Sequence, residues 1–522
     1  MSPAQSVRYE FFELKPPPGV AASSGLGINN IDKTVVGWTG PSALGGTRRA
    51  ALWRFCEPIG GPAFVPYATP IDLALAAGIP LGSTLNSEAR ELNNAEIAVG
   101  YREVLVDGRT LRRGMVWDVP DAISAQIGSF TNAALDSSEA WSVSDDAIPV
   151  VVGFAQDNLL TCSGLGNDPF FKGFRSTWQN ALSPLVALDG ATGRISYAHD
   201  VSTGTPTRAV GYENDCEAND PCGSARNALE WTGASTPTRI ELDEFGPEDG
   251  SVVWATNDAG MSVGSVNADP ACVTQAAFWA ADGSLTNLHV ASGMAAESSS
   301  TAFGVSEVLD DGRVLAVGQD FGQIRGVLWI GTPVGSSIAW QHQYLDDLVS
   351  QVWEGEIAVA FDVTDDGWIA ADALVGGLSR GVALRPVVPG LFCPGDIDRD
   401  LDVDASDLAL LLGAWGTGPT SSYLADANID DVVNAFDLAI LLGAWGGTCS
   451  GCSSGLSGAQ SGSSEPDAND QVTAPLATAC QLLGFATIGD FVQWAVLQPP
   501  EDLEPVGLWL SALLETGAGH EN

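Results

Sequence analysis

The stretch GLGINNIDKTVVGW, residues 25–38, followed by RRAALW at 48–53, decides how this chain folds. It reads as a short strand, a polar turn, a second strand closing at Val-Gly, and a third strand ending in tryptophan. The same order returns as ARELNNAEIAVGY from Ala89 with RRGMVW to Trp117, and as WSVSDDAIPVVVGF from Trp141 with FRSTW to Trp178. It continues as AHDVSTGTPTRAVGY from Ala198 with RNALEW to Trp231, and as VWATNDAGMSVGS from Val253 with QAAFW to Trp279. The sixth copy is AFGVSEVLDDGRVLAVGQ from Ala302 with IRGVLW to Trp329. A seventh, AFDVTDDGWIAAD from Ala360 with SRGVALRP, lacks both the glycine and the tryptophan.

The glycines closing the second strands, Gly37, Gly100, Gly153, Gly211, Gly264 and Gly318, are separated by 63, 53, 58, 53 and 54 residues. That period, with a further β-like segment such as TPTRIEL from Thr236, gives about four short strands per unit and predicts a mainly-β, seven-bladed β-propeller over residues 8–388. The last repeat lacks the fourth segment, whereas the chain opens with an orphan one, SVRYEFFEL, ahead of the Pro-rich KPPPG. Tyr9 to Leu14 is therefore expected to complete the final blade, since a closed ring leaves no unpaired sheet edge. Asn29-Asn30, Asn93-Asn94, Asp145-Asp146, Asp310-Asp311 and Asp365-Asp366 read as hairpin-turn residues rather than ligands, because Asn and Asp tolerate the backbone a turn demands. One tryptophan per blade at one strand position reads as packing between blades rather than as a sugar-stacking surface. The pattern resembles the extracellular HAF-type repeat, in which GINN-like and VVG-like elements precede a strand ending in an aromatic. That resemblance covers roughly residues 8–386; it implies an architecture and no reaction.

From Cys393 the texture changes to CPGDIDRDLDVDASDLALLLGAWG, and thirty residues later it returns as ADANIDDVVNAFDLAILLGAWG. Calcium takes six to eight oxygens, which a twelve-residue loop supplies from positions 1, 3, 5, 7, 9 and 12. In the first loop these are Asp396, Asp398, Asp400, the carbonyl of Asp402, Asp404 and Asp407; in the second, Asp426, Asn428, Asp430, the carbonyl of Val432, Asn434 and Asp437. Val403 and Val433 at position 8 are apolar and suited to pin the loops together. Helices are expected over Leu408 to Trp415 and Leu438 to Trp445, ended by Gly416 and Gly446. The competing reading, an acidic surface with no metal, does not account for the same spacing appearing twice ahead of matching helices. Residues 393–449 thus resemble a dockerin domain, an all-α module holding two Ca2+ ions. The resemblance implies that Asp407 and Asp437 each bind through both oxygens, and that a cohesin-like partner would meet positions 10 and 11, Ala405 and Ser406, then Ala435 and Phe436. Those two faces are not equivalent, and packing on the protein's own chain is the alternative. Position 6 is Leu401 in the first loop and Asp431 in the second. A leucine takes the sharp bend poorly, so the first site is expected to be weaker.

Composition limits the rest. With 65 acidic residues against 22 basic ones, the net charge of -43 repels phosphate backbones and anionic membranes, which argues against nucleic acid as a partner. No apolar run reaches the roughly 18 residues of a membrane span. Of the nine cysteines, Cys216 and Cys222, and Cys393 with Cys449 or Cys452, read as disulfide staples of an oxidising compartment, which points to an extracellular, cell-surface or periplasmic location. MSPAQSVRYEFF is not a signal peptide as it stands, so a mature form or a displaced start is expected. Residues 450–469 form a Gly/Ser-rich linker, and 470–518 read as short amphipathic helices broken at Pro499 and Pro500.

Two functions compete. The first is a secreted or surface non-enzymatic binding or scaffold protein, its propeller loops meeting a carbohydrate or protein ligand and its calcium module attaching it to a partner. The second is a carbohydrate-active hydrolase or lyase of polysaccharide metabolism. His199, His289, His342 and His520 lie scattered, without HExxH, and neither a GxSxG elbow nor a phosphate-binding loop occurs, so no catalytic residue is assigned. Enzyme chemistry would require paired carboxylates in the central funnel.

Overall fold

Valine-rich second strands, bounded by polar turns, form the middle of seven four-stranded sheets, because β-branched side chains suit a surface buried on both faces. The computed structural model describes residues 8–41, 46–55, 70–80, 83–131, 135–157, 170–188, 194–204, 206–215, 226–233, 237–242, 250–268, 273–295, 297–309, 311–335, 337–349, 355–387, 405–415 and 433–444. Six sheets are meanders in chain order, their innermost strands being Ala22–Ile28, Ser87–Leu92, Ser138–Val143, Arg194–Val201, Ser251–Thr256 and Ser300–Val305. The seventh begins with Glu356–Val363 and takes its outermost strand from the other end of the chain. There Arg8–Glu13 pairs antiparallel with Leu378–Val387, as the orphan N-terminal segment predicts. Tyr9, Phe12 and Leu14 are buried, and Phe12 stacks on Trp368 at 5.8 Å. This seals the ring where two unpaired edges would otherwise remain.

The repeated glycine has a steric cause. In each of the first six blades the innermost strand bulges, and a Cβ on the partner glycine would meet the carbonyl oxygen just before that bulge. The separation would be 1.9 Å at Gly37, Gly211, Gly264 and Gly318, 2.0 Å at Gly100 and 2.1 Å at Gly153. In the seventh blade Ala371 occupies that place, and the innermost strand there carries a second register shift, between Ile357 and Val359.

The tryptophans are core. Trp53, Trp117, Trp178, Trp231, Trp279 and Trp329 are all at most 3% exposed, and each joins residues of its own blade to those of the blade before it. Trp178 differs in register: Ser176, not the tryptophan, pairs with Val151, so this blade extends its third strand before the aromatic. In the seventh blade Leu384 takes the tryptophan's place.

Beyond the propeller, the helices Ala405–Gly413 and Ala435–Ala444 pack on each other, and Leu408, Leu411, Leu438 and Leu441 are buried. Both begin three residues earlier than the apolar run predicts. Asp407 and Asp437 therefore lie in the first helical turn, where a carboxylate is favoured by the helix dipole.

Candidate functional site

The site grows from one local device repeated seven times. The first residue of each inner hairpin turn, Asn29, Asn93, Ser144, Ser202, Asn257, Ser306 or Thr364, is buried. Its side-chain oxygen accepts the N–H that opens the next strand, for example Thr34 N to Asn29 (2.9 Å) and Met261 N to Asn257 (2.8 Å). Short polar side chains do this because they mimic a backbone turn.

The second turn residue reaches sideways. Asn30 N–H donates to Asn94 (2.9 Å), Asn94 N–H to Asp145 (2.6 Å), Asp145 N–H to Thr203 (3.0 Å) and Thr203 N–H to Asp258 (2.6 Å). Asp258 N–H donates to Glu307, Glu307 N–H to Asp365 (3.0 Å), and Asp365 N–H returns to Asn30 (2.8 Å). The chain of donors closes on itself around the axis, one bond per blade junction. Asn30, Asn94, Asp145 and Asp365 are thus turn residues, as the sequence indicates, and also links of the clasp between blades. In the sixth blade the clasp residue is Glu307, next to Ser306, while Asp311 sits in the turn that follows and engages Arg313; Asp310 lies outside the described residues.

Below this rim, the innermost strands bulge at Leu26, Arg90, Trp141, His199, Trp254, Phe303 and Phe361, and all seven line one axial cavity of about 580 Å³. A bulge breaks the period-two alternation and re-aims a side chain, here into the channel. Successive bulge residues stack. The Arg90 guanidinium lies 3.8 Å from the Trp141 ring, His199 sits 4.6 Å from Trp141 and 4.2 Å from Trp254, and Phe303 meets Trp254 at 5.7 Å and Phe361 at 5.9 Å. Together they form a floor across the channel.

Between floor and rim stand Glu91, Asp200 and Asp362, one residue after their bulges. Asp362 accepts the N–H of Ile28 in the first blade (2.9 Å), while Asp200 accepts Ser142 Oγ–H (2.5 Å) from the third blade and Thr256 N–H (2.7 Å) from the fifth. All three line the cavity and are only partly exposed, and burial raises them above the usual carboxylate range: Asp362 to about 6, and Glu91 well above its ordinary value. The charges of Asp362 and Asp200 add to the effect at Glu91. On the rim, Asp145, Asp258 and Glu307 are also raised by burial, with like charges beside them contributing. His199 is pushed down to about 3 by burial. Its Nδ1 lies 2.9 Å from the Val253 carbonyl, an acceptor only, so Nδ1 carries the proton and Nε2 keeps a lone pair.

Of the calcium-loop residues, Asp407, Asn434 and Asp437 are described; Asp396, Asp398, Asp400, Asp402, Asp404, Asp426, Asn428, Asp430 and Val432 lie outside the described residues, as do all nine cysteines, Leu401 and residues 445–522. Asp407 and Asp437 are fully buried at matching places in the two helices, and Val433 is buried too. Asp437 accepts the Asn434 N–H at 2.7 Å, the reciprocal half of a helix cap.

No family model matches this chain, and no curated protein matches it. Solved structures do. The β-propeller domain of the Trilobed protease from Pyrococcus furiosus aligns with a TM-score of 0.39 at 8% identity, over 70% of this chain and 94% of that one. A post-proline cleaving enzyme from Rickettsia typhi aligns with a TM-score of 0.36 at 9% identity, over 69% of this chain and 52% of that one. An α-l-arabinofuranosidase from Fusarium graminearum aligns with a TM-score of 0.33 at 10% identity, over 73% and 98%.

Sequence reasoning did not find the floor and the carboxylate ring. The signal was present as columns of the repeat, Leu-Arg-Trp-His-Trp-Phe-Phe and then Gly-Glu-Ser-Asp-Ala-Gly-Asp. Without the bulge, however, nothing says that the first column points to the axis.

Proposed function

We propose that this is a secreted or cell-surface binding protein, not an enzyme, whose propeller takes a ligand in its axial funnel. Residues 393–449 act in it as a calcium-ordered, dockerin-like connector to a cohesin-like partner or to the protein's own chain. The observation that carries the binding reading is the funnel itself, a preformed cavity held by a closed ring of inter-blade hydrogen bonds. Ligand sites of this volume are usually preformed in the same way. Asp200 and Asp362, the carboxylates a hydrolase would need, are engaged with N–H groups of neighbouring blades. The connector reading is supported by Asp407 and Asp437, buried carboxylates at matching places in two helices of matching sequence.

Isothermal titration of the full chain with Ca2+ tests the connector: two ions per chain are expected, Asp437→Ala should leave one, and a panel of cohesin domains should bind in Ca2+ and not in EDTA. Absence of any calcium heat rejects it. One observation favours the hydrolase reading, the raised carboxyl of Glu91 beside other carboxylates, since a general acid needs such a group. Release of reducing sugar from a polysaccharide panel, abolished by Glu91→Gln, would establish that reading instead.

A further inference from the structure

We propose that the axial funnel recognises an organic cation, a ligand carrying ammonium or guanidinium groups and of about the size of an amino sugar or a polyamine. The inference rests on the reading of the funnel as a ligand site and adds the chemistry of what enters it.

Three features of the cavity point the same way. First, among the described residues its lining holds eight carboxylates and a single cation, Arg90, which is already paired with Glu139 at 3.0 Å and Glu88 at 3.3 Å and stacked on Trp141. An anionic ligand would be repelled throughout. Second, an acceptor waits at the floor. His199 is 5% exposed and lines the cavity; its proton is fixed on Nδ1 by Val253, and Nε2 has no hydrogen-bond partner among the described residues. An acceptor with no protein partner at the cavity wall favours a ligand that brings a donor to it. Ammonium has three N–H donors and guanidinium five, and neither has an acceptor to set against the carboxylates. Third, the negative charge is distributed. Among the described residues no three His, Cys, Asp or Glu side chains converge closely enough to hold one metal ion. Acidic groups spaced around a cavity of about 580 Å³ suit a ligand whose positive groups are spread over several atoms. The inner carboxylates Glu91, Asp200 and Asp362 are only partly exposed, so attraction to a cation is less screened there than at the open surface.

Burial raises Glu91 and Asp362, with neighbouring carboxylates adding to it, and a bound cation favours the ionised forms, so binding near pH 6 should release protons. Asp362, raised to about 6, is largely protonated at pH 5, and affinity should fall there.

The test is calorimetry and tryptophan fluorescence on the full, calcium-loaded chain at 150 mM salt, with spermidine, glucosamine, glucose and N-acetylglucosamine as probes. A chain of net charge -43 attracts any polycation weakly, so stoichiometry and a variant decide. The expected result is one site per chain, at least tenfold tighter for glucosamine than for glucose, with proton release at pH 6 and weaker binding at pH 5 than at pH 7. Glu91→Gln should weaken the cations at least fivefold without lowering the melting temperature, because among the described residues the one bond that Glu91 makes is to its own neighbour, Leu92 N–H at 3.1 Å. Glucose or N-acetylglucosamine bound as tightly as glucosamine overturns the cation assignment and leaves the funnel a ligand site. Cation binding unaffected by Glu91→Gln overturns the assignment too, since the probe then sits elsewhere. If none of the four binds, both readings fail.

Discussion

Gly264→Ala should be among the most damaging single-methyl additions in this protein. The new Cβ would lie 1.9 Å from the Val252 carbonyl oxygen and 2.9 Å from Val253 Cα, both backbone atoms that cannot rotate away. A comfortable carbon–oxygen contact is about 3.3 Å, so two paired strands must separate locally by about 1.4 Å. That breaks the ladder at the Val253–Gly264 pair, beside the bulge that presents Trp254. Two ladder hydrogen bonds lost at about 1 kcal/mol each, with about 1–3 kcal/mol of overpacking strain, give a destabilisation of about 3–5 kcal/mol. Thermal unfolding followed by circular dichroism should place the midpoint several degrees below that of the parent chain, at about 2 °C or more per kcal/mol. The matched control is Ala371→Gly, where the seventh blade already accommodates a methyl at the same position; it should lose only about 1 kcal/mol. A Gly264→Ala midpoint within 1 °C of the parent would refute the claim that the bulge carbonyl dictates the glycine.

Asn30→Ala removes the acceptor that closes the clasp on Asp365 N–H. It should cost about 1–2 kcal/mol and speed amide exchange at Asp365 while sparing Thr203. Burial pushes Asp372 up to about 7, although Ser24 and Ser379 hydroxyls and the Gly25 N–H donate to it. An acid whose folded pKa is raised takes up a proton on folding, so its contribution is fully present below about pH 4 and is lost as pH rises towards 7. Asp372→Asn should therefore gain stability relative to the parent between pH 5 and pH 8, on the order of 2 kcal/mol; equal midpoint differences at both pH values would reject this. Deleting residues 1–14 removes the strand that buries Tyr9, Phe12 and Leu14. At about 1.5–3 kcal/mol per side chain it should leave no folded monomer on gel filtration.

Much of the propeller was legible because its signals are local and repeated. The spacing of Gly37, Gly100, Gly153, Gly211, Gly264 and Gly318 fixes the blade length, and the orphan strand before KPPPG fixes how the ring closes. The hairpin turns were legible for the same reason, since Asn29 or Ser306 acts on its own strand a few residues away. The missing glycine of the last repeat is equally visible, though the second shift in the innermost strand that accompanies Ala371 is not.

The site belongs to the other class. Whether Asn30 is a plain turn residue or the last link of a clasp depends on Asp365, which the chain brings alongside only when seven blades have closed. His199 and Trp254 meet because two bulges in different blades turn both rings to one axis, and Glu91 is raised because burial and the distant Asp200 and Asp362 act on it together. Sequence alone therefore determined the blades, their number and their seal, all of which follow from periodicity within some fifty residues. The funnel was decided by the closed ring, because electrostatics and stacking act through space between residues that the sequence separates by whole blades.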